Sequence, residues 1–165
     1  MRLYKLIFHI IFTFLILSSI TFSYVIPNKV GNFVLITSTS GDEAKNEIYM
    51  LHRKHINIKE AYTLKYQSAK NEVAYIWLSK SYTADDAKNQ ITTMIDKLPK
   101  SKIYSTPKPL KIDNLKVYQT YGMDMDNYFY NYYKWNIWIA IKSNNGLDFL
   151  KNFIKSFHGR IINEN

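Results

Sequence analysis

The residues able to do chemistry are few and scattered. His52 and His55 form the closest histidine pair, with Met50 near them in sequence. On a helix this spacing stacks two imidazoles one turn apart, and imidazole with thioether is a donor set that suits copper in an exported protein. A metal centre normally takes three or four ligands, and no third accompanies this pair. A periplasmic metal-binding protein using His52 and His55 is therefore the alternative reading, not the leading one. Asp124 and Asp126 alternate with Met123 and Met125 in a way that resembles a calcium loop. Such a loop needs further oxygen ligands and a glycine at set offsets, where Tyr128 and Phe129 stand instead, so two turn carboxylates are expected. His158 has no evident partner. The chain has no cysteine, which excludes a thiol nucleophile, a disulfide framework and a lipid-modified cysteine. It carries no glycine-rich phosphate loop, no His-Glu-x-x-His and no recognisable nucleophile–base spacing. No catalytic residue is assigned and no cofactor is expected; the chemistry points to binding.

Aromatic side chains are what the sequence has in excess, at 16% of residues with 14 tyrosines. They crowd the stretch NYFYNYYKWNIWIAIK (127–142). A two-stranded hairpin there cannot bury both of its faces unless both are covered. Tyr128, Tyr130, Tyr132, Tyr133 and Trp135 are therefore expected to form a partly exposed binding surface. Tyr and Trp stack on sugars and anchor protein interfaces at low entropy cost, so the expected partner is an envelope protein or glycan. The formal net charge is +9, with Arg2 and Lys5 in the leader supplying two of it. The basic residues are dispersed singly, which argues for solubility and against a nucleic-acid patch.

These side chains must be positioned by one domain, since 165 residues at 47% hydrophobic content supply a single core. Met1–Ser23 reads as a signal peptide, with basic Arg2 and Lys5 before an apolar run and small residues at Thr21 and Ser23. An uncleaved anchor is the competing reading, because the run approaches the roughly 17–25 residues that span a bilayer. Only in that case is the membrane a partner. The protein is expected to be exported, periplasmic or secreted, with 24–31 as a linker, 32–158 as the domain and 159–165 as a flexible tail.

Within the domain, Phe33–Thr37 reads as a strand and 41–54 as a helix burying Ala44, Ile48 and Leu51, with Ser40 and Glu43 at capping-box spacing. Ala61–Gln67 alternates and reads as a half-exposed strand. Val73–Leu78 is apolar throughout and reads as a central, covered one. Thr83 with Asp86 caps a second helix that ends before Pro99. A strand over Leu115–Tyr121, an aromatic hairpin over about 127–131 and 136–142, and a C-terminal helix begun at Asn145 complete the chain. The segments Asp-Glu-Ala-Lys-Asn-Glu-Ile (42–48) and Asp-Asp-Ala-Lys-Asn-Gln-Ile (85–91) mark a duplicated strand–helix unit. The order β-α-β-β-α, with strands one and three apolar on both faces, predicts an α+β domain with a ferredoxin-like (split β-α-β) core. In architecture such a duplicated exported unit resembles the SPOR domains, and that resemblance implies a peptidoglycan ligand.

Overall fold

The computed structural model describes residues 26–52 and 55–161; the expected leader and the last four residues lie outside them. Eight strands form one antiparallel sheet: β1 (Lys29–Val30), β2 (Phe33–Ser40), β3 (Glu60–Ser68), β4 (Val73–Lys80), β5 (Lys108–Ile112), β6 (Leu115–Gly122), β7 (Met125–Tyr132) and β8 (Trp135–Lys142). Among the described residues three helices accompany it: α1 (Gly41–His52), α2 (Ala84–Lys97) and α3 (Gly146–Ile161). The spatial order is β1-β2-β3-β4-β8-β7-β6-β5, so the chain runs up one half of the sheet, crosses to the far edge and meanders back to the centre. None of the described helices is long and apolar enough to cross a membrane.

This order is not ferredoxin-like. A split β-α-β core needs the first and third expected strands side by side, whereas β3 lies between β2 and β4 and pairs with both. The reason is visible in burial. β8 and β4 are the central strands, and β8 is buried at all but two of its positions. The apolar start of β2 is largely solvent-facing, with Val34 and Ile36 about half exposed. A short apolar run carries no information about whether its faces are covered, and β2 stands one strand from the edge. The architectural ground for the SPOR resemblance goes with it. The two Ala-Lys-Asn segments do each form a helix, and Ala44 and Ala87 are both fully buried. The helices lie on the same sheet face in different surroundings: α1 packs on β3, α2 on β7 and β8.

Each helix boundary has a local cause. Gly41, at φ +71°, turns the chain from β2 into α1, a conformation that carries no penalty without a Cβ. Thr83 caps α2 by accepting from the Asp86 amide at 3.0 Å while its hydroxyl donates to the Asp86 carboxylate at 2.7 Å. The hairpin turns between β6 and β7, and between β7 and β8, carry positive φ at Met123, Asp124 and Tyr133. That twist matches the flanking strands, and it is why Asp124 sits in a tight turn.

The opposite face belongs to α3. Phe149, Leu150, Phe153 and Phe157 are buried against Phe33, Tyr62, Leu64, Tyr66, Ile76, Leu78, Ile137 and Ile139. Leu147, near its start, is exposed, and so is Leu51 of α1, which was expected to be buried. The helix continues through Gly159 to Ile161, so the tail expected from 159 begins within it. The segment expected as a linker is also part of the core. Ile26, Pro27 and Val30 are buried, and the Pro27 carbonyl accepts from the Tyr66 hydroxyl at 2.7 Å. At the same end of β3 the Glu72 carboxylate accepts from Ser143 Oγ at 2.6 Å and Ser68 Oγ at 3.0 Å. These two hydroxyls hold it below the usual carboxylate range and tie the β3–β4 turn to the start of α3.

Candidate functional site

The aromatic hairpin is core at one end and surface at the other. Tyr128, Tyr130 and Trp135 are buried, Tyr132 is half-buried, and Tyr133 is exposed. The expected surface is thereby corrected for three of its five residues. The cause is coverage of both faces: Tyr128 and Tyr130 point under α3, while Asn127 and Phe129 point to the side covered by α2. Trp135 packs edge-on against Phe157 at 5.7 Å and near Tyr62 at 5.9 Å. Burial pushes the Tyr128 hydroxyl up to about 12 and raises Tyr130 strongly. The hydroxyl of Tyr130 and Nε2 of His158 are buried with no hydrogen-bond partner among the described residues. His158 stacks flat on Tyr132, with ring centroids 3.5 Å apart, and burial pushes its imidazole down to about 4.

The candidate metal pair is not assembled on one helical face. His52 is the last residue of α1, whereas His55 lies beyond residues 53–54, which are not described, in irregular chain. The His55 ring packs against Tyr49 at 4.4 Å. Among the described residues no group of three or more His, Asp or Glu gathers to hold an ion. Asp126 accepts from Gln119 Nε2 at 3.3 Å, and Asp124 stays in its turn.

What the sequence reading missed is a row of rings across the sheet face shared by α1 and α2. Backbone register aligns Trp77 of β4 with Trp138 of β8, Trp138 with Phe129 of β7, and Phe129 with Tyr118 of β6. Phe129 stacks on Trp138 at 5.2 Å and on Tyr118 at 5.5 Å, and Tyr104 meets Trp138 edge-on. Phe129 is fully buried beneath α2, while Trp77, Trp138 and Tyr118 are partly exposed. Trp138 Nε1 donates to Asn127 Oδ1 at 3.1 Å, and the Asn127 amide donates to the Gly122 and Met125 carbonyls, which fixes the Trp138 ring plane.

On β4, Tyr75 stacks beside Trp77, with centroids 6.2 Å apart and planes 27° apart. Both are half-buried and lie between the strand that carries α1 and the strands that carry α2. Lys65 Nζ stands 5.9 Å from the Tyr75 ring centre, and Lys116 Nζ 5.1 Å from that of Tyr118. The signal for this face was in VAYIWL: period two puts Ala74, Ile76 and Leu78 on one side and Tyr75 and Trp77 on the other. A shallow depression of about 340 Å³ on the β5–β6 hairpin, lined by Pro109, Leu110, Lys111, Asn114, Leu115 and Lys116, has two lysines and neither a carboxylate nor an imidazole in its lining.

Fold and site together define a three-layer α/β/α module built on one antiparallel sheet, with aromatic and cationic groups on a partly open face. Comparison with protein-family models, with curated proteins and with solved structures gives no match for this chain.

Proposed function

We infer that the protein is an exported, non-catalytic module that binds a negatively charged envelope glycan on the β4 face between α1 and α2. The observation that carries this reading is the Tyr75–Trp77 pair. Two near-parallel, partly exposed rings on a rigid strand make a platform for the apolar faces of sugar rings. Lys65, whose Nζ stands over the Tyr75 ring, supplies a cation for a carboxylate or phosphate substituent, in keeping with the positive charge of the chain. Tyr132 and Tyr133, the accessible part of the aromatic hairpin, stand at the end of β7 and are a less favourable platform because their rings meet at 74°.

The test is a calorimetric titration of the protein with an acidic polysaccharide and with a neutral one of the same backbone. Binding of the acidic polymer that is weakened by Tyr75→Ser and by Lys65→Ala supports the reading. Binding untouched by both substitutions, or no binding to either polymer, overturns it.

A further inference from the structure

The two edges of the sheet are defended differently. β5, the far edge, carries Lys108, Pro109 and Lys111 within five residues, and charge and proline both discourage a further strand from pairing. At the other edge β1 covers β2 only at Phe33 and Val34, and Asn28 accepts from the Leu35 amide at 2.9 Å. Among the described residues, no strand lies along the outer side of Ile36–Ser40. That stretch, Ile-Thr-Ser-Thr-Ser, has no charge and no proline. Its one irregularity is the register shift between Leu35 and Thr37, which leaves Ile36, the first residue of the stretch, without a partner on β3 and keeps Thr37–Ser40 in regular register.

The exposed stretch is self-complementary. In an antiparallel pairing centred on Ser38, Ser38 meets Ser38 of the second copy, Thr37 meets Thr39, and Ile36 meets Ser40. Thr37 and Thr39 lie on the same sheet face, since they pair inward with Lys65 and Thr63, and cross-strand Thr–Thr pairs are favourable. A two-fold axis through this point leaves each face of the sheet continuous with its counterpart, as an isologous interface requires. It covers Ile36, which is 52% exposed. It also brings the acidic first turn of α1, Asp42 and Glu43, toward Lys29 of the second copy at both ends. Gly41 turns each chain off the sheet before it would meet the other copy's β1.

We propose that the outer edge of β2 is a homodimerisation surface, on which a second copy of this chain pairs antiparallel through Ile36–Ser40 to join two sheets into one. The absence of cysteine allows a direct test. Ser38→Cys places two thiols opposite each other at the Cα separation of an antiparallel pair, about 4.5–5.5 Å, within the range a disulfide bridges. The protein as it accumulates in the cell should sediment as a dimer. Ser38→Cys should cross-link rapidly under mild oxidation, whereas Ser40→Cys, facing Ile36, should stay largely uncross-linked. Ser38→Lys, at an exposed position that leaves the monomer fold intact, should lose the dimer while keeping the native circular dichroism spectrum. A monomer at every concentration measured, or a dimer that survives Ser38→Lys, overturns the proposal. So does equal cross-linking of the two cysteine variants.

Discussion

Two buried tyrosines of this core have opposite hydrogen-bonding circumstances, and their hydroxyls should behave accordingly. The Tyr66 hydroxyl donates to the Pro27 carbonyl, so Tyr66→Phe strands a buried acceptor and should cost about 1–3 kcal/mol. The Tyr130 hydroxyl is buried without a partner among the described residues, so Tyr130→Phe removes a desolvated polar atom and should be neutral or stabilising by up to about 1 kcal/mol. Urea midpoints of the two variants check both signs. His158 makes a third case. Its folded-state value, about 4, lies below the ordinary 6.5 because burial beside Tyr130 and Tyr132 disfavours the cation. The unfolded chain therefore binds the proton more readily. Its contribution is complete above pH 6.5 and is lost as pH falls through the window down to about 4. With the partly exposed ring discounted for solvent screening, the loss amounts to roughly 2 kcal/mol. His158→Phe, which keeps a flat ring on Tyr132, should flatten the pH dependence of the unfolding midpoint across that window. An unchanged slope would show that the acid sensitivity lies elsewhere.

At the scale of elements, the β6–β7 hairpin is pinned by a glycine with no room for a side chain. A Cβ at Gly122 would collide with the Tyr104 ring and lie 2.8 Å from the Ile103 carbonyl. The strand-like contact of residues 104–105 with the end of β6 runs through this point. Gly122→Ala should therefore destabilise by about 1–3 kcal/mol, the range for overpacking, and detach the 103–105 segment. Proteolysis in that loop, compared with the parent chain, reads the detachment. Phe153→Ala beneath the sheet should cost about 3–5 kcal/mol, while Tyr133→Ser should stay within about 0.5 kcal/mol.

Much at this scale was legible beforehand. The Thr83 cap, the end of α2 near Pro99, the buried Ala44, the 127–142 hairpin and the C-terminal helix follow from periodicity and capping chemistry, which are local. Strand neighbours were not legible. VLIT of β2 and AYIW of β4 look alike as text, but one is near an edge and the other is central, because α3 and α2 converge on the middle of the sheet. The aromatic hairpin failed for the same reason. Its composition did signal unusual packing, but whether Tyr128 and Tyr130 face solvent depends on α3, which follows them in the chain. The ring row from Trp77 to Tyr118 needs the crossover from β4 to β5 to place β8 beside β4. No pattern within a single strand encodes that neighbour.

Among the described residues, the sheet is closed on one face by a single long helix and only partly roofed on the other by two. That asymmetry leaves Tyr75, Trp77 and Lys65 accessible on a rigid floor while Phe129 and Trp138 brace it from the side. Were two copies to join through β2, their open faces would lie on the same side and double the platform for a long polymer, so avidity would add to the affinity of each site. The central claim is that this face, and not the end of the aromatic hairpin, holds the ligand. The most direct measurement is a pair of titrations with an acidic polysaccharide, one on Tyr75→Ser and one on Tyr133→Ser, each beside the parent chain. Affinity reduced about tenfold or more by Tyr75→Ser, a loss of about 1.4 kcal/mol or more, and unchanged by Tyr133→Ser is the result expected. The reverse pattern would place the ligand on the hairpin and contradict the account.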